Sequence, residues 1–339
     1  MYRLFFLALL LPALATAEEA WNTGWRLSID NDLWTGRSTD RDYTGGIGLT
    51  LSGARAARYP VSIDGWRAGL DRLLGFSGLN AQAENLQFHS QQYGMMLFTP
   101  EDIDSSEPLY NDRPYASLFF LSNSAFTVLP DRATAYVSRL TVGFLGLDLA
   151  ENVQGFLHDM TDSDVPNGWS NQVSAGGEPT AMLSYAVQNR LYASKRQQLK
   201  LSYEANAGFI TDVNAGISWR WGRIHTPWWQ FNPSQSKYIQ QSMPVFGGPQ
   251  SAGEMFVWAG ARLNARLYNA FLQGQFRDSK VTISRQDMQW LVAEYWLGAS
   301  LALGRKNRAS VFLRGHSDEF RGENARHAAW VGLVFSRAY

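Results

Sequence analysis

The stretch WRLSIDNDLWTGRSTDRDYTGGIGLTLSG, Trp25 to Gly53, gathers Asp30, Asn31, Asp32, Asp40 and Asp42 around one short turn. Like charges this close repel unless a cation or a substrate holds them. Turn chemistry explains part of the group, because Asp and Asn bond their own backbone in turns, which covers Asp40 and Asp42. It covers Asn31 and Asp32 less well, since these interrupt an alternating strand pattern. Carboxylate and amide oxygens together suit a hard cation such as calcium. A second reactive residue, His158, lies in LAENVQGFLHDM. An imidazole that deprotonates water, beside a metal that polarises a carbonyl, makes a hydrolytic pair. No GxSxG motif is present, so a serine elbow has no support.

Positioning such a pair falls to strands. Leu199, Leu201 and Tyr203 alternate with Lys200, Ser202 and Glu204, and similar period-2 segments recur near 23–34, 43–53, 88–98, 115–128, 132–146, 178–192, 198–211, 213–224, 254–266, 285–304, 308–316 and 327–339. An even set of about twelve alternating strands predicts an all-β, transmembrane antiparallel β-barrel. The first residues, MYRLFFLALLLPALATA, read as a signal peptide over 1–17, with the barrel domain over 18–339. The 339 residues include no cysteine, so an exported chain has no disulfide to staple it. The 30 basic and 30 acidic residues balance, which gives no support for nucleic-acid binding.

With the first strand rising from the periplasmic end, 129–132, 194–197 and 305–308 are short inner turns. The segments 99–114, 147–177, 267–284 and 317–326 are outer loops, mostly long, as barrels have them. Two inner connections, 54–87 and 225–253, are too long for the rule. The first contains GWRAGLDRLLGF, which has the pattern of a short amphipathic helix. The second contains HTPWWQFNP, which reads as an interfacial tryptophan anchor. In the outer loop 147–177, Val153, Phe156, Leu157 and Met160 form an apolar helix face, and Glu151, Gln154 and His158 a polar one. Asp32 and Thr44 fall on the polar parity of the first two strands. The acidic turn and the histidine helix thus belong to the same, outer end of the barrel.

Taken in order, Asn31-Asp32, Asp42-Tyr43-Thr44-Gly45-Gly46, Asp112-Arg113-Pro114-Tyr115-Ala116, the Gln154…His158…Pro166-Asn167-Gly168-Trp169…Gln172 loop and Glu319-Phe320-Arg321-Gly322 resemble the outer-membrane lipid A 3'-O-deacylase family along nearly the whole mature chain. The resemblance implies a twelve-stranded barrel of the bacterial outer membrane with an outer-loop helix and a site between wall and helix. It further implies Ca²⁺ dependence and removal of the 3'-linked acyloxyacyl group of lipid A. Carried over by position, His158 is the base, Asn31 and Asp32 hold or shape the calcium site, and Thr44 positions substrate or water. A basic Lys-Arg pair of the family's second outer loop is replaced here by Thr99-Pro100-Glu101-Asp102-Ile103-Asp104. Arg113 and Arg41, with Gln154, are the remaining candidates to contact substrate. Val165 stands where a tyrosine is expected. The expected partners are lipopolysaccharide and outer-membrane lipids, with the chain as a monomer. Two rivals stand beside this reading. One is an outer-membrane phospholipase using Ser170 or Ser174. The other is a non-enzymatic porin, adhesin or structural barrel with a calcium-ordered rim.

Overall fold

A computed structural model of the chain describes residues 18–36, 41–76, 85–152, 154–155, 166–241, 243–247 and 252–339. The expected signal peptide over 1–17, together with Asp40 and His158, lies outside the described residues. Twelve antiparallel strands close into a barrel in which each strand bonds its sequence neighbours and the first bonds the last. They are β1 Gly24–Asn31, β2 Asp42–Ser52, β3 Leu86–Thr99, β4 Ala116–Leu129, β5 Thr134–Leu145, β6 Glu178–Ala193, β7 Gln197–Gly208, β8 Ile210–Arg223, β9 Met255–Asn269, β10 Leu291–Leu303, β11 Asn307–His316 and β12 Ala328–Ala338. The segment 285–304, expected as strand throughout, becomes strand only at Leu291; residues 285–290 belong to an outer connection. Among the described residues no helix is long and apolar enough to cross a membrane; the strands do the crossing.

Alternation sorts the side chains. On β7, Lys200, Ser202, Glu204 and Asn206 are buried in the lumen, while Tyr203 is exposed on the outer wall. Many lumen polar groups pair with one another: Lys200 Nζ donates to Gln188 at 3.1 Å, and Asn206 donates to Asp212 at 2.7 Å. Such pairing is required because an unpartnered charge away from water is costly. Arg337, on the outward parity of β12, lies over the Tyr339 ring at 5.5 Å. A long side chain at the inner edge reaches the interface this way.

The two long inner connections part company. Residues 225–241 and 243–247 turn into the lumen and fill it. Lys237 Nζ meets Asp212 at 2.7 Å, Gln92 Nε2 donates to Ile239 O at 3.0 Å, and the Tyr238 hydroxyl donates to Glu319 at 3.1 Å. Trp228 is buried, and Trp229 stacks on Phe88 at 5.4 Å. The expected interfacial anchor is therefore part of an internal plug, because a polar lumen accepts a polar segment that also carries its own aromatic core. The outer end is sealed by rings, with Tyr43 on Tyr238 at 4.8 Å and Phe98 on Phe271 at 4.5 Å.

The first connection does the opposite. Its helix, Asp64–Leu73, lies against the outward face of β4 and β5. Arg67 donates to Asn123 at 3.1 Å, and Asp71 accepts from Ser138 at 2.6 Å and from Tyr185 at 2.7 Å. Asn123 alternates with Ser122 and Phe126, which face the lumen, so it belongs to the outer wall. Asp64, Arg67 and Asp71 form the wall-facing stripe, and Trp66, Leu70, Leu73 and Leu74 point away from it. This amphipathic helix is inverted relative to one in water, polar side in and apolar side towards lipid.

Candidate active site on the outer wall

A one-residue insertion builds the site. On β2, Tyr43 pairs with Phe98 and Gly45 with Leu97, leaving Thr44 as an extra residue between them. Such a bulge breaks the two-residue alternation. Tyr43 stays in the lumen core, whereas the Thr44 hydroxyl sits 2.8 Å from that of Thr99. Thr99 shares the parity of Leu97, opposite to the lumen residues Met96 and Phe98. Thr44 is therefore on the outward, lipid-side face, which corrects the polar-lumen parity that plain alternation assigns it. The bulge needs its glycine: a Cβ on Gly45 would lie 2.3 Å from the Asp30 carbonyl oxygen.

Asn31 and Asp32 adjoin it. Asp32 N donates to Thr44 O at 3.2 Å, tying the turn to the bulge. The Asn31 side-chain oxygen accepts from Leu33 N at 2.8 Å, and Asp32 Oδ2 accepts from Arg41 N at 2.8 Å. Asp32 is 1 % exposed. The five acidic and amide residues do not share one cage. Asp30 faces the lumen and accepts from the Tyr43 hydroxyl at 3.2 Å, Asp42 takes Arg326 at 3.0 Å, and Asp40 lies outside the described residues. Among the described residues no group of three or more His, Cys, Asp or Glu converges as a metal cage. Asp32, Asn31, Thr44 and Thr99 nevertheless offer only hard oxygen donors, and that set fits calcium if neutral oxygens outnumber carboxylates.

Above this wall stands the third outer loop. Leu97, Tyr115, Ala150 and Trp169 pack as one buried cluster on the barrel's outer side, with Phe119 against it. Residues 149–152 and 154–155 are helical, and Gln154 accepts from Trp169 Nε1 at 2.9 Å. Glu151 is exposed while Gln154 is buried, so the two do not form the common polar face expected of them. The Pro166-Asn167-Gly168-Trp169 turn is pinned to the same cluster. A Cβ on Gly168 would lie 2.4 Å from the Tyr115 ring, so only glycine lets the turn close on it.

The two arginines named from sequence occupy different places. Arg41 is partly exposed and pairs with Glu101 of the second outer loop. Arg113 is 1 % exposed, pairs with Glu319 and lies over the Phe98 ring at 4.9 Å. Its guanidinium belongs to the lumen network that also holds Arg266, so its place is structural rather than substrate-facing. Sequence reasoning passed over Thr99 and Arg326. The first becomes visible only through strand register. The second joins Asp42 and Asp112 at 3.0 and 2.9 Å across loops far apart in sequence.

The chain resembles solved outer-membrane barrels. LpxR from Salmonella typhimurium superposes with a TM-score of 0.69 at 16% identity, covering 94% of this chain and 100% of that one. The β domain of the Bordetella autotransporter BrkA gives 0.44 at 11% identity over 94% and 100% of the two chains. The COG4313 outer membrane channel from Pseudomonas putida F1 gives 0.45 at 8% identity over 94% and 96%. No curated protein matches the chain. The model of the family described as outer membrane protein LpxR matches residues 4–339. With that match over nearly its full length, the chain belongs to the LpxR family of outer-membrane β-barrel proteins.

Proposed function

We propose that this protein is a calcium-dependent lipid A 3'-O-deacylase with His158 as its general base. Family membership makes it an outer-membrane protein that modifies lipid A; the bond cut and the metal are our reading. The observation that carries it is the bulge that turns Thr44 out of the lumen, to Thr99 on the lipid side of the wall, beside Asn31-Asp32 and below the third outer loop. A substrate arriving sideways from the outer leaflet reaches this face without entering the barrel. His158 takes the proton of the attacking water. Asp32 and Asn31 hold the cation or shape its shell, and Thr44 orients water or the acyl ester. Calcium, when bound, supplies Lewis-acid polarisation of an ester carbonyl.

The rivals fit less well. A lumen filled by residues 225–241 and 243–247 argues against a porin. Ser174 is buried and donates to Glu178, and no histidine is among its described partners, which argues against a phospholipase serine. The test is lipid mass spectrometry after expression in a host with full-length lipid A. Loss of the 3'-acyloxyacyl mass is expected, stopped by chelator. Asp32→Ala should lower activity, with partial recovery at high calcium and unchanged heat-modifiable migration on gels. Unaltered lipid A with folded protein, or loss of glycerophospholipid acyl chains instead, would overturn the assignment.

A further inference from the structure

A groove of about 1080 Å³ lies on the outward face of β4, β5 and β6 and is bounded also by Tyr268, Gln275 and Phe276 at the outer end of β9 and its following connection. Phe119, Leu121, Val142 and Phe144 line it from the wall, and Phe119 also packs on the Leu97-Tyr115-Trp169 cluster beside the candidate site. The groove and that cluster are therefore continuous. Its remaining wall includes Trp66, which comes from the inverted helix Asp64–Leu73. Trp66 is 68% exposed and stands on the helix's lipid side.

The helix is fixed where it lies. Arg67 is 2% exposed and is held by Asp64, Asp71 and Asn123, and Asp71 is held in turn by Ser138 and Tyr185. These polar contacts fall on a wall that otherwise faces hydrocarbon, so releasing the helix would strand several polar groups in lipid. The helix is thus a rigid ledge, and Trp66 is its projection into the groove.

We propose that this groove holds an acyl chain of lipid A during deacylation, and that Trp66 forms the groove's far wall and sets the length of chain accepted. The substrate in this inference rests on the deacylase reading above. The occupant is an acyl chain because the lining is almost wholly apolar and the groove opens to the membrane. It is a chain of lipid A rather than of a glycerophospholipid because the groove joins, through Phe119, the outer-loop cluster beside the candidate site, in the leaflet where lipid A resides. A bulky ring at the far wall excludes longer chains, and shortening it admits them.

Two measurements test this. Trp66→Ala, an exposed substitution that leaves Arg67 and Asp71 in place, should shift the preferred acyl length upwards in a mixture of lipid A species. Relative kcat/KM on chains two carbons longer should rise by roughly an order of magnitude, since each methylene newly buried is worth several-fold. Trp66→Phe should fall between the two. An unchanged length profile in Trp66→Ala would sink the proposal. The second measurement does not depend on turnover. The chain has no cysteine, so Leu121→Cys in the groove and Leu297→Cys on the far side of the barrel each take one benzophenone label. In vesicles of lipid A and phosphatidylethanolamine, the label at 121 should capture lipid A in preference, and that at 297 should not discriminate. Preferential capture without hydrolysis would leave the groove standing and remove the deacylase reading. Equal capture of both lipids at 121, or preference for phosphatidylethanolamine, would remove the groove.

Discussion

The two faces of the wall at the outer ends of β1 to β3 use neighbouring residues for opposite ends. Asp30 and Tyr43 point into the lumen, bond each other, and join a packed set that includes Tyr238, Trp330, Arg113 and Glu319. Thr44, one residue from Tyr43, stands with Thr99 on the other side, next to Asn31-Asp32. The inner face is crowded and tied together by ion pairs and rings. The outer face is sparer, with short hydroxyls and a loop cluster above it. Neither composition nor charge separates the two faces, since both hold oxygen donors. What separates them is the one-residue bulge, which puts adjacent side chains on opposite faces; on the proposed reading one face serves stability and the other chemistry. Substitutions on the two faces should therefore dissociate rate from stability.

The largest effect belongs to the proposed base. His158→Ala should lower the deacylation rate by roughly 10²–10⁴, the usual contribution of a positioned general base, while heat-modifiable migration stays that of the wild type. The wild-type rate should fall as pH drops below about 6, where an ordinary imidazole protonates, and the residual rate of His158→Ala should lose that acid limb. Retention of wild-type rate by a folded His158→Ala protein would remove the histidine from the chemistry.

On the inner face the expected loss is in stability. Glu319 accepts from Arg113, Arg266, Tyr238 and Asn269. Glu319→Ala leaves two buried guanidiniums without their shared acceptor, and breaking a buried pair costs about 3–5 kcal/mol. Unfolding in denaturant should come earlier by that amount, while the rate per folded molecule is retained. A rate loss without a stability loss would move Glu319 to the chemical side of the comparison. Tyr43→Phe is a milder version. It removes one hydrogen bond to the buried Asp30 and should cost about 1.5–3 kcal/mol, again without a rate effect.

Much of this arrangement was legible in sequence. All twelve strands were, because a wall between lipid and a polar lumen imposes a strict two-residue period, and Leu199 to Asn206 writes it plainly. Residues that break the period were not. Thr44 reads as a lumen residue until the Tyr43/Gly45 register shift is known. GWRAGLDRLLGF announces two helix faces but not which meets the protein, because the same pattern serves a helix in water and its inverse in lipid. HTPWWQFNP reads as an anchor because tryptophans favour an interface, yet a filled lumen gives them another apolar place. Arg113 was named as a nearby cation standing in for the family's basic Lys-Arg pair, and in the structure it is buried against Glu319. Asn31 and Asp32 stood out by interrupting a strand, and their side chains bond backbone N–H groups of Leu33 and Arg41; the acid-amide cluster itself was a proximity in sequence, since Asp30 faces the lumen.

The smallest effect tests the bulge itself. Thr44→Val keeps the branched shape and the backbone of the insertion but deletes the hydroxyl that meets Thr99. If the pair only ties two strands together, the cost is a single hydrogen bond, about 0.5–1.5 kcal/mol of stability, and the rate does not move. If Thr44 orients water or the ester, the rate should drop by roughly tenfold, equivalent to about 1.4 kcal/mol of barrier. Thr44→Ser, which restores a hydroxyl, should then recover most of that rate. Moving the same chemistry inward supplies the control. Thr50 lies on the lumen parity of the same strand and is fully buried, so Thr50→Val alters a hydroxyl on the face opposite the proposed site. A rate loss in Thr44→Val rescued by serine, with none in Thr50→Val, would place catalysis on the outer wall. Equal behaviour of the two variants would mean that the bulge shapes the strand and nothing more.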